Sequence, residues 1–451
     1  MKTSSIKYNA STQKGIRFDA SFHLSDGLVT KRLIESSPYP LKTIGDVSSR
    51  IFFGNRAKRV YVTKKENGMP FLSSSDILRS DLENVKLASK KYMPVSDMML
   101  EKGWTLISRS GTIGNCAFAN AKHAQKLASE DVIRVVPNNI LRGGLVYAYL
   151  ASKYGYSLLT QGIFGAVIQH IEPDFVSSIP IPSFPEDFQN KINDLVLESA
   201  RLREEATDAL QEAHGIIEEV LKISNSNANH RVSISSIAKD SMTRFDASYN
   251  LSEAILYENL IKTLGYHTLD SICSQIFGGG RAHRYYTNDR NRGVPYLSNS
   301  DLGKANPLRS CKYSLKSKID DSSILRKGMI VTGRVGAIGQ TQYIGESFEK
   351  MQTMGSDNVI RIVPKEHAGF LFAYLSSKVG NSMFWKYATG GVQPFISSAM
   401  VGQILVPILP NQIIGKCDSL IKKYSDAIEL SSIKEDLAIS LVEQEILKWN
   451  K

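Results

Sequence analysis

Two stretches of the chain that lie 225 residues apart have almost the same sequence. Residues 70–76 are Pro-Phe-Leu-Ser-Ser-Ser-Asp, and residues 295–301 are Pro-Tyr-Leu-Ser-Asn-Ser-Asp. In both, an apolar run typical of a β-strand is followed by small polar residues and an aspartate. Similarity at a fixed offset is the signature of a repeated structural unit, so the neighbouring residues should repeat as well.

The repeat extends over nearly the whole chain and keeps its order. Arg-Phe-Asp-Ala-Ser occurs at 17–21 and again at 244–248, and Val-Ile-Arg occurs at 132–134 and at 359–361. The matched pairs also include Gly111–Gly114 with Gly336–Gly339, Ala148–Leu150 with Ala373–Leu375, Pro182 with Pro407, and Pro185 with Pro410. The sequence therefore predicts a tandem duplication of one unit.

The greater part of each copy has the composition of a β-rich fold. Its first ~165 residues combine short apolar runs with Gly, Pro, Asn and Ser, which is typical of strands joined by turns. The apolar stretch 145–159 and its counterpart 370–384 have helical length and aromatic spacing. We therefore predict one helix in each of these two stretches.

After Pro185 and Pro410 the sequence becomes helical. Residues 186–223 contain no proline and one glycine, and apolar or small side chains recur there at steps of three and four, as in a coiled-coil seam. Residues 411–448 supply a partner, so we expect two antiparallel helices, each ~50 Å long, that form a spacer. The seam residues are Ile192, Leu195, Ser199, Leu202, Ala206, Ala209, Ala213, Ile216 and Val220, then Leu420, Tyr424, Ala427, Ala438 and Leu441.

These patterns predict an α+β protein in which a β-rich domain and a long helix occur twice, the two helices forming an antiparallel coiled coil. The predicted boundaries are 1–184 for the first globular domain, 185–224 for the first helix, 225–409 for a linker and the second globular domain, and 410–451 for the second helix. A chain of 451 residues has room for two or three domains.

The charge distribution favours contact with a polyanion such as nucleic acid. The chain has 55 Lys and Arg against 44 Asp and Glu, which gives a formal charge of +11. Residues 186–224 carry a net −6 and residues 411–451 a net −1, which leaves +18 on the globular segments. Because Lys and Arg dominate affinity for DNA phosphates, the globular segments are the predicted binding surfaces.

Sequence motifs for several kinds of chemistry are missing. Cys116, Cys273, Cys311 and Cys417 form no CxxC pair and there is no HExxH motif, so neither a disulfide framework nor a metal site is predicted. The loop with which adenine methyltransferases hold a flipped base is absent as well. No apolar run approaches the ~18 residues of a membrane helix. We therefore expect a cytoplasmic protein that is not an enzyme, with no cofactor of its own.

The arrangement resembles the specificity subunit of Type I restriction-modification enzymes. The resemblance rests on the Arg-Phe-Asp-Ala opening, the proline pair and heptad helix that end each copy, and four repeated segments. These segments are Pro70–Asp76, Gly111–Gly114, Gly165–Ile171 and Ile179–Pro185. It implies that each globular domain is a target recognition domain for one half of an asymmetric bipartite site in double-stranded DNA. The coiled coil then sets the gap between the half-sites.

The same resemblance implies the partners. Two adenine-methyltransferase subunits, which bind S-adenosylmethionine, dock on the chain, and a restriction subunit with translocase activity can join them. Two other functions remain open. The chain could be the recognition subunit of a modification-only or phage-defence methylation system, or a protein-interaction scaffold whose two globular domains bind acidic proteins.

Basic and small polar residues in loops are the first candidates for DNA contact. Arginine can bind phosphate or guanine, and hydroxyl groups can bind phosphate or base. The alternatives are a solvated charge run for the basic residues and a turn or helix N-cap for the serines. The candidates are Arg56, Lys58, Arg59, Arg281, His283 and Arg284, and then Ser73, Ser74, Ser75, Ser298, Asn299 and Ser300.

Four further candidates lie in glycine-rich loops. Arg109 and Arg334 precede loops whose glycines would let the backbone approach DNA closely, or else they are exposed residues of tight hairpins. Gln169 and Gln393 can bond adenine through the side-chain amide or can stabilise their own loops. The repeated pairs Arg17–Asp19 and Arg244–Asp246 are predicted to fix the start of each unit, with contact to a partner subunit as the alternative.

Overall fold

The computed structural model describes residues 20–93, 95–165, 169–221, 233–239, 243–250, 253–280, 283–318 and 321–449. The fold is mixed α/β, and the chain forms two compact units. Unit 1 consists of Met1–Glu204 and Leu430–Lys451, and unit 2 consists of Glu205–Glu429. The boundaries fall inside two long helices, so each unit contains a segment of both helices.

Unit 1 begins with short helices and continues with strands. Its helices are α1 (Ala20–His23), α2 (Asp26–Glu35), α3 (Val95–Met98), α4 (Gly143–Ala151), α5 (Lys153–Gln161) and α6 (Pro173–Ser177). Its strands are β1 (Leu41–Thr43), β2 (Ser48–Phe53), β3 (Tyr61–Val62), β4 (Gly68–Leu72), β5 (Leu87–Ser89), β6 (Thr105–Ser108), β7 (Cys116–Phe118), β8 (Leu127–Ala128), β9 (Val132–Pro137) and β10 (Pro180–Pro182). The long helix α7 (Glu186–Val220) follows Pro185.

The strands of unit 1 form three sheets. An antiparallel sheet has the order β2-β9-β6-β7, a second has the order β3-β5-β4-β8 with β4 and β8 parallel, and β1 pairs with β10. Ile107 of β6 lies opposite Ile133 of β9, and both side chains are buried. Alternate apolar residues of these strands pack against α4, which is buried along most of its length. The core of unit 1 therefore lies between the first sheet and the helices.

Unit 2 has a similar series of elements. Its helices are α8 (Ile234–Lys239), α9 (Ala247–Asn250), α10 (Ala254–Leu264), α11 (Leu269–Ile272), α12 (Pro307–Ser310), α13 (Glu346–Lys350), α14 (Ala368–Ser376), α15 (Lys378–Tyr387) and α16 (Ser398–Gly402). Its strands are β11 (Tyr266–Thr268), β12 (Cys273–Gly278), β13 (Tyr286–Thr287), β14 (Gly293–Leu297), β15 (Lys312–Leu315), β16 (Ile330–Gly333), β17 (Thr341–Tyr343), β18 (Met354–Gly355), β19 (Val359–Pro364) and β20 (Leu405–Pro407). The second long helix is α17 (Asn411–Leu447).

The strand order of unit 2 is that of unit 1. Its sheets have the orders β12-β19-β16-β17, β13-β15-β14-β18 and β11-β20, and β14 and β18 are the parallel pair. Val359–Arg361 lies in β19 where Val132–Arg134 lies in β9. The repeated sequence therefore occurs on the same elements in both units.

The prediction of one helix in each apolar stretch is wrong. Ser152 has extended backbone angles and separates α4 from α5, and its hydroxyl accepts a hydrogen bond from Gly155 N at 3.1 Å. Ser377 separates α14 from α15 in the same way. A Cβ on Gly155 would lie 2.2 Å from the Tyr149 carbonyl oxygen. The chain therefore turns sharply here, and only glycine fits the close approach.

In unit 1, the segments of the two long helices pack side by side and run antiparallel. The Phe184 and Trp449 rings lie 5.9 Å apart, and Ser199 Oγ donates to the Ser431 carbonyl oxygen at 2.9 Å. Gly144 allows α4 to approach α7, because a Cβ there would lie 2.9 Å from Asn193 Cα. The α7 segment is therefore buried on two sides.

In unit 2, an ion pair joins the segments of the two long helices. Lys416 Nζ of α17 lies 2.9 Å from Glu212 Oε1 of α7. The predicted seam residues of α7 and α17 are buried or half-buried in the cores of their units. Fully buried among them are Ile192, Ser199, Leu202, Ala206, Ala209, Ala213, Tyr424, Ala427 and Ala438, while Leu195, Ile216, Val220, Leu420 and Leu441 are half-buried. Small alanines in the middle of α7 allow close helix contact.

A completely buried arginine lies in the first sheet of each unit. Arg134 Nη1 donates to the carbonyls of Ser129 and Val132, and Nη2 donates to those of Met98 and Ala128, at 2.7–3.4 Å. Burial lowers the pKa of Arg134 to about 10. A buried cation is tolerated only when hydrogen bonds replace its hydration, and here backbone carbonyls supply them.

Arg361 is the equivalent residue of unit 2 and is also completely buried. It donates to the carbonyls of Ser323, Gly355, Ser356 and Val359. The bonds to Gly355, Ser356 and Val359 fix the turn between β18 and β19. One side chain therefore contributes three of the hydrogen bonds that position this turn.

We expect Arg361→Met to lower the free energy of unfolding by about 3 kcal/mol, because buried carbonyls lose their donor while the apolar bulk remains. The midpoint of urea unfolding measures this change. Arg326→Met is the matched control, because Arg326 is 53% exposed and its nearest carboxylate lies 3.8 Å away. An equal effect of the two substitutions would contradict the role of Arg361.

Unit 1 contains a buried polar cluster at its helix contact. Arg203 Nη1 and Nη2 donate to the two carboxylate oxygens of Glu435 at 3.0 and 2.8 Å, and Tyr147 Oη donates to the same carboxylate. Burial lowers the pKa of Arg203, but the charge and the hydrogen bonds of Glu435, together with Tyr147 and Asp436, outweigh burial and raise this pKa. The equivalent positions of unit 2 are apolar and buried, and they are Phe372, Ile428 and Leu210.

Glu435→Leu alone should lower the free energy of unfolding by about 3–5 kcal/mol, because Arg203 is left buried without its carboxylate. The triple variant Tyr147→Phe, Arg203→Ile and Glu435→Leu, which copies unit 2, should be as stable as the parent or more stable. Urea unfolding followed by circular dichroism compares the two. A triple variant less stable than Glu435→Leu would contradict this account. Tyr147→Phe is the control for loss of one hydrogen bond, worth about 1 kcal/mol.

Candidate nucleic-acid interface

In each unit, four loops that follow or precede strands are joined to one another or to the turn before β9 or β19. The basic loop is 54–60 in unit 1 and 279–285 in unit 2, and the serine turn is 73–75 and 298–300. The glycine loop is 109–114 and 334–339, and the amide loop is 164–170 and 389–395. The sequence places candidate DNA-contacting residues on all four loops. Residues 166–168, Arg281 and Ala282 lie outside the described residues.

In unit 1, backbone and side-chain hydrogen bonds hold the four loops together. Ser108 Oγ donates to the Ser74 carbonyl at 2.8 Å, which joins the serine turn to the end of β6. Arg109 N donates to the Asp131 carbonyl at 2.8 Å, and Ile171 N donates to the Arg109 carbonyl at 3.3 Å. The glycine loop therefore lies between the amide loop and the turn that begins β9.

Unit 2 joins its loops at the same backbone positions. Arg334 N donates to the Asn358 carbonyl at 2.8 Å, and Ile396 N donates to the Arg334 carbonyl at 2.9 Å. Asn299 Nδ2 donates to the Val335 carbonyl at 2.5 Å. This bond takes the place of the Ser108–Ser74 bond, so the two units use different side chains for the same join.

The basic loops are exposed, and one arginine of each is paired with acid. Arg59 Nη2 lies 2.7 Å from Glu130 Oε1 and 3.0 Å from Asp131 Oδ2, and Arg284 Nη2 lies 2.8 Å from Asp357 Oδ1. These pairs attach the loops to the turns before β9 and β19. The other described candidate residues of the basic loops, Arg56, Lys58 and His283, are exposed. They are therefore accessible to an anionic ligand.

Sequence reasoning missed two exposed tyrosines beside these arginines. Tyr61 is 44% exposed and Tyr286 is 42% exposed, and each packs edge-on against the ring of Phe71 or Tyr296. Lysines lie over the two rings at 5.1 and 4.7 Å. The signal was available, because Tyr61 and Tyr286 are identical residues at the 225-residue offset. Exposed aromatic rings next to cations are typical of nucleic-acid surfaces.

The serine turns cap short 3₁₀ helices. Ser73 Oγ donates to Asp76 Oδ2 and Ser298 Oγ donates to Asp301 Oδ2, both at 2.6 Å. At Ser298 two further bonds form a capping box, because Ser298 N donates to Asp301 Oδ2 at 3.0 Å and the Ser298 hydroxyl accepts from the Asp301 backbone N–H. This is the structural alternative that the sequence left open for the first serine of each turn. The third residues, Ser75 and Ser300, are exposed.

A cavity of about 240 Å³ opens at the serine turn of unit 2. Asn299 Oδ1 is buried and has no hydrogen-bond partner among the described residues, while its Nδ2 is used by Val335. The lining residues are Arg284, Tyr296, Ser298, Asn299, Ser300, Ser356 and Asn358.

The glycine loops of both units and the amide loop of unit 2 are tight turns. Gly111, Gly114, Gly336 and Gly339 have φ of 75–82°, a conformation that favours glycine. Phe395 N donates to the Thr389 carbonyl at 2.7 Å, and the reverse bond closes the amide loop. Gln169 and Gln393 are exposed on the amide loops. The two arginines of the glycine loops differ, since Arg109 is buried and Arg334 is half-buried.

Arg244 and Asp246 form the pair that the sequence predicts. Two guanidinium nitrogens donate to the two carboxylate oxygens at 2.7–2.8 Å, and this pairing lowers the pKa of Asp246 to about 2. Arg244 also donates to the carbonyls of Tyr387 and Ala388, which ties the repeated segment 244–248 to the end of α15. The equivalent Arg17 and Asp19 lie outside the described residues.

Neither a metal site nor a membrane-spanning helix is found among the described residues. Among them, no group of three His, Cys, Asp or Glu side chains is arranged to hold a metal ion. In the same part of the chain, no helix is long and apolar enough to cross a membrane.

Comparison with protein-family models and with curated proteins found no match. The chain is similar to solved structures at low identity. The S subunit of the Type I restriction-modification system from M. genitalium is 15% identical, with a TM-score of 0.32, over 91% of this chain and 96% of that chain. The HsdS subunit from Thermoanaerobacter tengcongensis is 13% identical, with a TM-score of 0.29, over 91% and 96%. A chain from a study of complex assembly and conformational transition of the type I R-M system is 12% identical, with a TM-score of 0.29, over 92% and 98%.

Proposed function

We propose that the chain is the DNA-recognition subunit of a Type I restriction-modification complex and performs no chemistry itself. Each unit is a target recognition domain that reads one half of an asymmetric bipartite site in double-stranded DNA. The two long helices form an antiparallel coiled coil that sets the gap between the half-sites.

One observation carries this proposal: the same four loops lie at the ends of the same strands in both units, but their side chains differ. Equal loop positions suit two modules that approach the same kind of ligand. Different side chains, such as Ser74 and Asn299, suit two different base sequences. The excess of +18 on the globular segments supplies the attraction to phosphates.

We assign the loop residues by their chemistry. Arg56, Lys58, Arg59, Arg281, His283 and Arg284 contact phosphates, and the paired arginines also fix the loop. We assign Ser75 and Asn299 to DNA contact, and Ser73 and Ser298 to the shape of their turns. Gln169 and Gln393 can bond adenine through both amide atoms. Arg334 contacts a base edge.

The partners follow from the same proposal. Two adenine-methyltransferase subunits, which bind S-adenosylmethionine, dock on the chain, and restriction subunits with translocase activity can join them. The net −6 of residues 186–224 gives α7 a surface suited to a basic partner rather than to DNA. A modification-only or phage-defence methylation system would use the chain in the same way without restriction subunits.

The test is a genome-wide map of methylated adenines in the host with and without the gene. We expect the loss of one split, asymmetric motif, because the subunit alone selects the site. An unchanged map would favour the scaffold alternative. A scaffold predicts salt-sensitive DNA binding with no preference among sequences, whereas a specific complex at physiological salt should prefer its site by about 10³-fold or more.

The coiled coil is tested by changing its length. Deletion of Leu202–Asp208 together with Lys422–Ile428 removes one heptad from each helix, or about 10 Å. The deletion takes away Arg203, so it is made in the Tyr147→Phe and Glu435→Leu background, which leaves no buried carboxylate without its partner. We expect the gap to shorten by about three base pairs with both half-sites unchanged, since base pairs are spaced by about 3.4 Å. Methylation mapping reads the motif. Duplication of the same heptads should lengthen the gap by the same amount, and an unchanged gap in both variants would refute the spacer.

A further inference from the structure

The two arginines of the glycine loops occupy equivalent backbone positions. Arg109 directly follows β6 and Arg334 directly follows β16. The backbone N–H of Arg109 donates to a carbonyl of the turn before β9, and that of Arg334 donates to a carbonyl of the turn before β19. The carbonyl of each arginine accepts a hydrogen bond from the residue that follows the amide loop. The two side chains therefore start from the same place in their units.

In unit 1 the side chain is held inside the unit. Arg109 is 5% exposed, its Nη2 lies 2.5 Å from Glu172 Oε1, and its guanidinium lies 4.3 Å from the centre of the Phe53 ring. Glu172 precedes the first residue of α6, and Phe53 ends β2. Two elements outside the glycine loop thus fix this guanidinium.

In unit 2 both holding residues are replaced. The residue that precedes α16 is Ser397, whose hydroxyl accepts a bond from Met400 N, and the last residue of β12 is Gly278. The strand registers establish the second equivalence, because Phe53 lies opposite Ile133 and Gly278 lies opposite Ile360. A Cβ on Gly278 would meet open space.

Arg334 consequently lacks an internal acid. Among the described residues it forms no ion pair, and its guanidinium lies 5.8 Å from the centre of the Phe395 ring on the amide loop. It is half-buried, so its end is accessible. A guanidinium in this state can still donate from a planar fork to two acceptors, as in a contact with guanine O6 and N7.

Contact with DNA would cost more free energy for Arg109 than for Arg334. For Arg109 to reach DNA, it would have to break a short charge-assisted bond and leave the Phe53 ring. It would also leave the Glu172 carboxylate without the Arg109 guanidinium close to phosphates, which is a repulsive arrangement. Arg334 gives up only a distant ring contact.

We propose that the ion pair with Glu172 keeps Arg109 from contacting DNA, so that Arg334 of unit 2 is the one specificity-determining arginine of this equivalent pair. It binds a guanine edge in the major groove, and the half-site of unit 1 is read without its counterpart. This inference rests on the proposed function of the chain as a DNA-recognition subunit.

The experiment selects binding sequences from random double-stranded DNA with the full-length chain and sequences the bound pool. The parent protein should enrich a split motif with a guanine in the half read by unit 2. Arg334→Met should lower the preference for that guanine by about tenfold to a hundredfold and leave the other half intact. Arg109→Met should change neither half.

A reciprocal exchange tests the holding contact itself. Glu172→Ser, which copies unit 2, should release Arg109 and add a guanine preference to the half read by unit 1. Glu172→Ser combined with Arg109→Met should abolish that gain. Ser397→Glu should weaken the guanine preference of unit 2 although Arg334 is still present. Thermal unfolding of each variant identifies effects that arise only from misfolding.

The outcomes distinguish the two levels of the argument. If the parent chain enriches no sequence, the proposed function fails. If it enriches a split motif that Arg334→Met and Ser397→Glu leave unchanged, only the present inference fails. A loss of base preference on Arg109→Met in a variant that unfolds at the parent temperature also overturns it.

Discussion

The geometry of both loop clusters depends on one interaction, a buried guanidinium bound to backbone carbonyls. Arg134 and Arg361 are completely buried, so their charge is tolerated only while the carbonyls around them point inward. Those carbonyls fix the turns before β9 and β19. The same turns hold Arg59 and Arg284 through acids and receive the backbone N–H of Arg109 or Arg334. A surface that must present several loops in fixed positions is thus held from the inside.

This construction separates loop position from loop chemistry. The joins between loops are mostly backbone hydrogen bonds, so side chains at the surface can change without moving the backbone. Position 74 is serine and its equivalent 299 is asparagine, and each unit still joins its serine turn to the neighbouring loop. The difference between Glu172 in unit 1 and Ser397 in unit 2 has a larger effect. It determines whether the arginine of the glycine loop has a carboxylate partner. One frame can therefore carry two different recognition surfaces.

The sequence predicts the parts of the fold that depend on local pattern. The repeat and the prolines define the long helices, which begin at Glu186 and Asn411, because proline is suited to helix starts and the apolar period continues without breaks. Local pattern fails where a contact is distant in sequence. The apolar pattern predicts Ser152 inside one helix, because the pattern does not reveal the sharp turn at which the Ser152 hydroxyl caps α5. Arg134 and Arg109 gave no sign of burial, because the carbonyls and the carboxylate that hold them come from other loops.

The distribution of charge bears on why two units would be linked in one chain. The net charge of +18 on the globular segments already subtracts every acid, so it is unchanged when Arg59, Arg109 and Arg284 pair with carboxylates. Under the proposed function this surplus is divided between two units, so one unit alone would neutralise only part of the phosphates that the whole chain contacts. Joining two modest surfaces makes the second contact intramolecular and raises the overall affinity without any new contact. That gain exists only when the spacing matches the ligand, so under the proposed function helix length would contribute to affinity as well as to the choice of site.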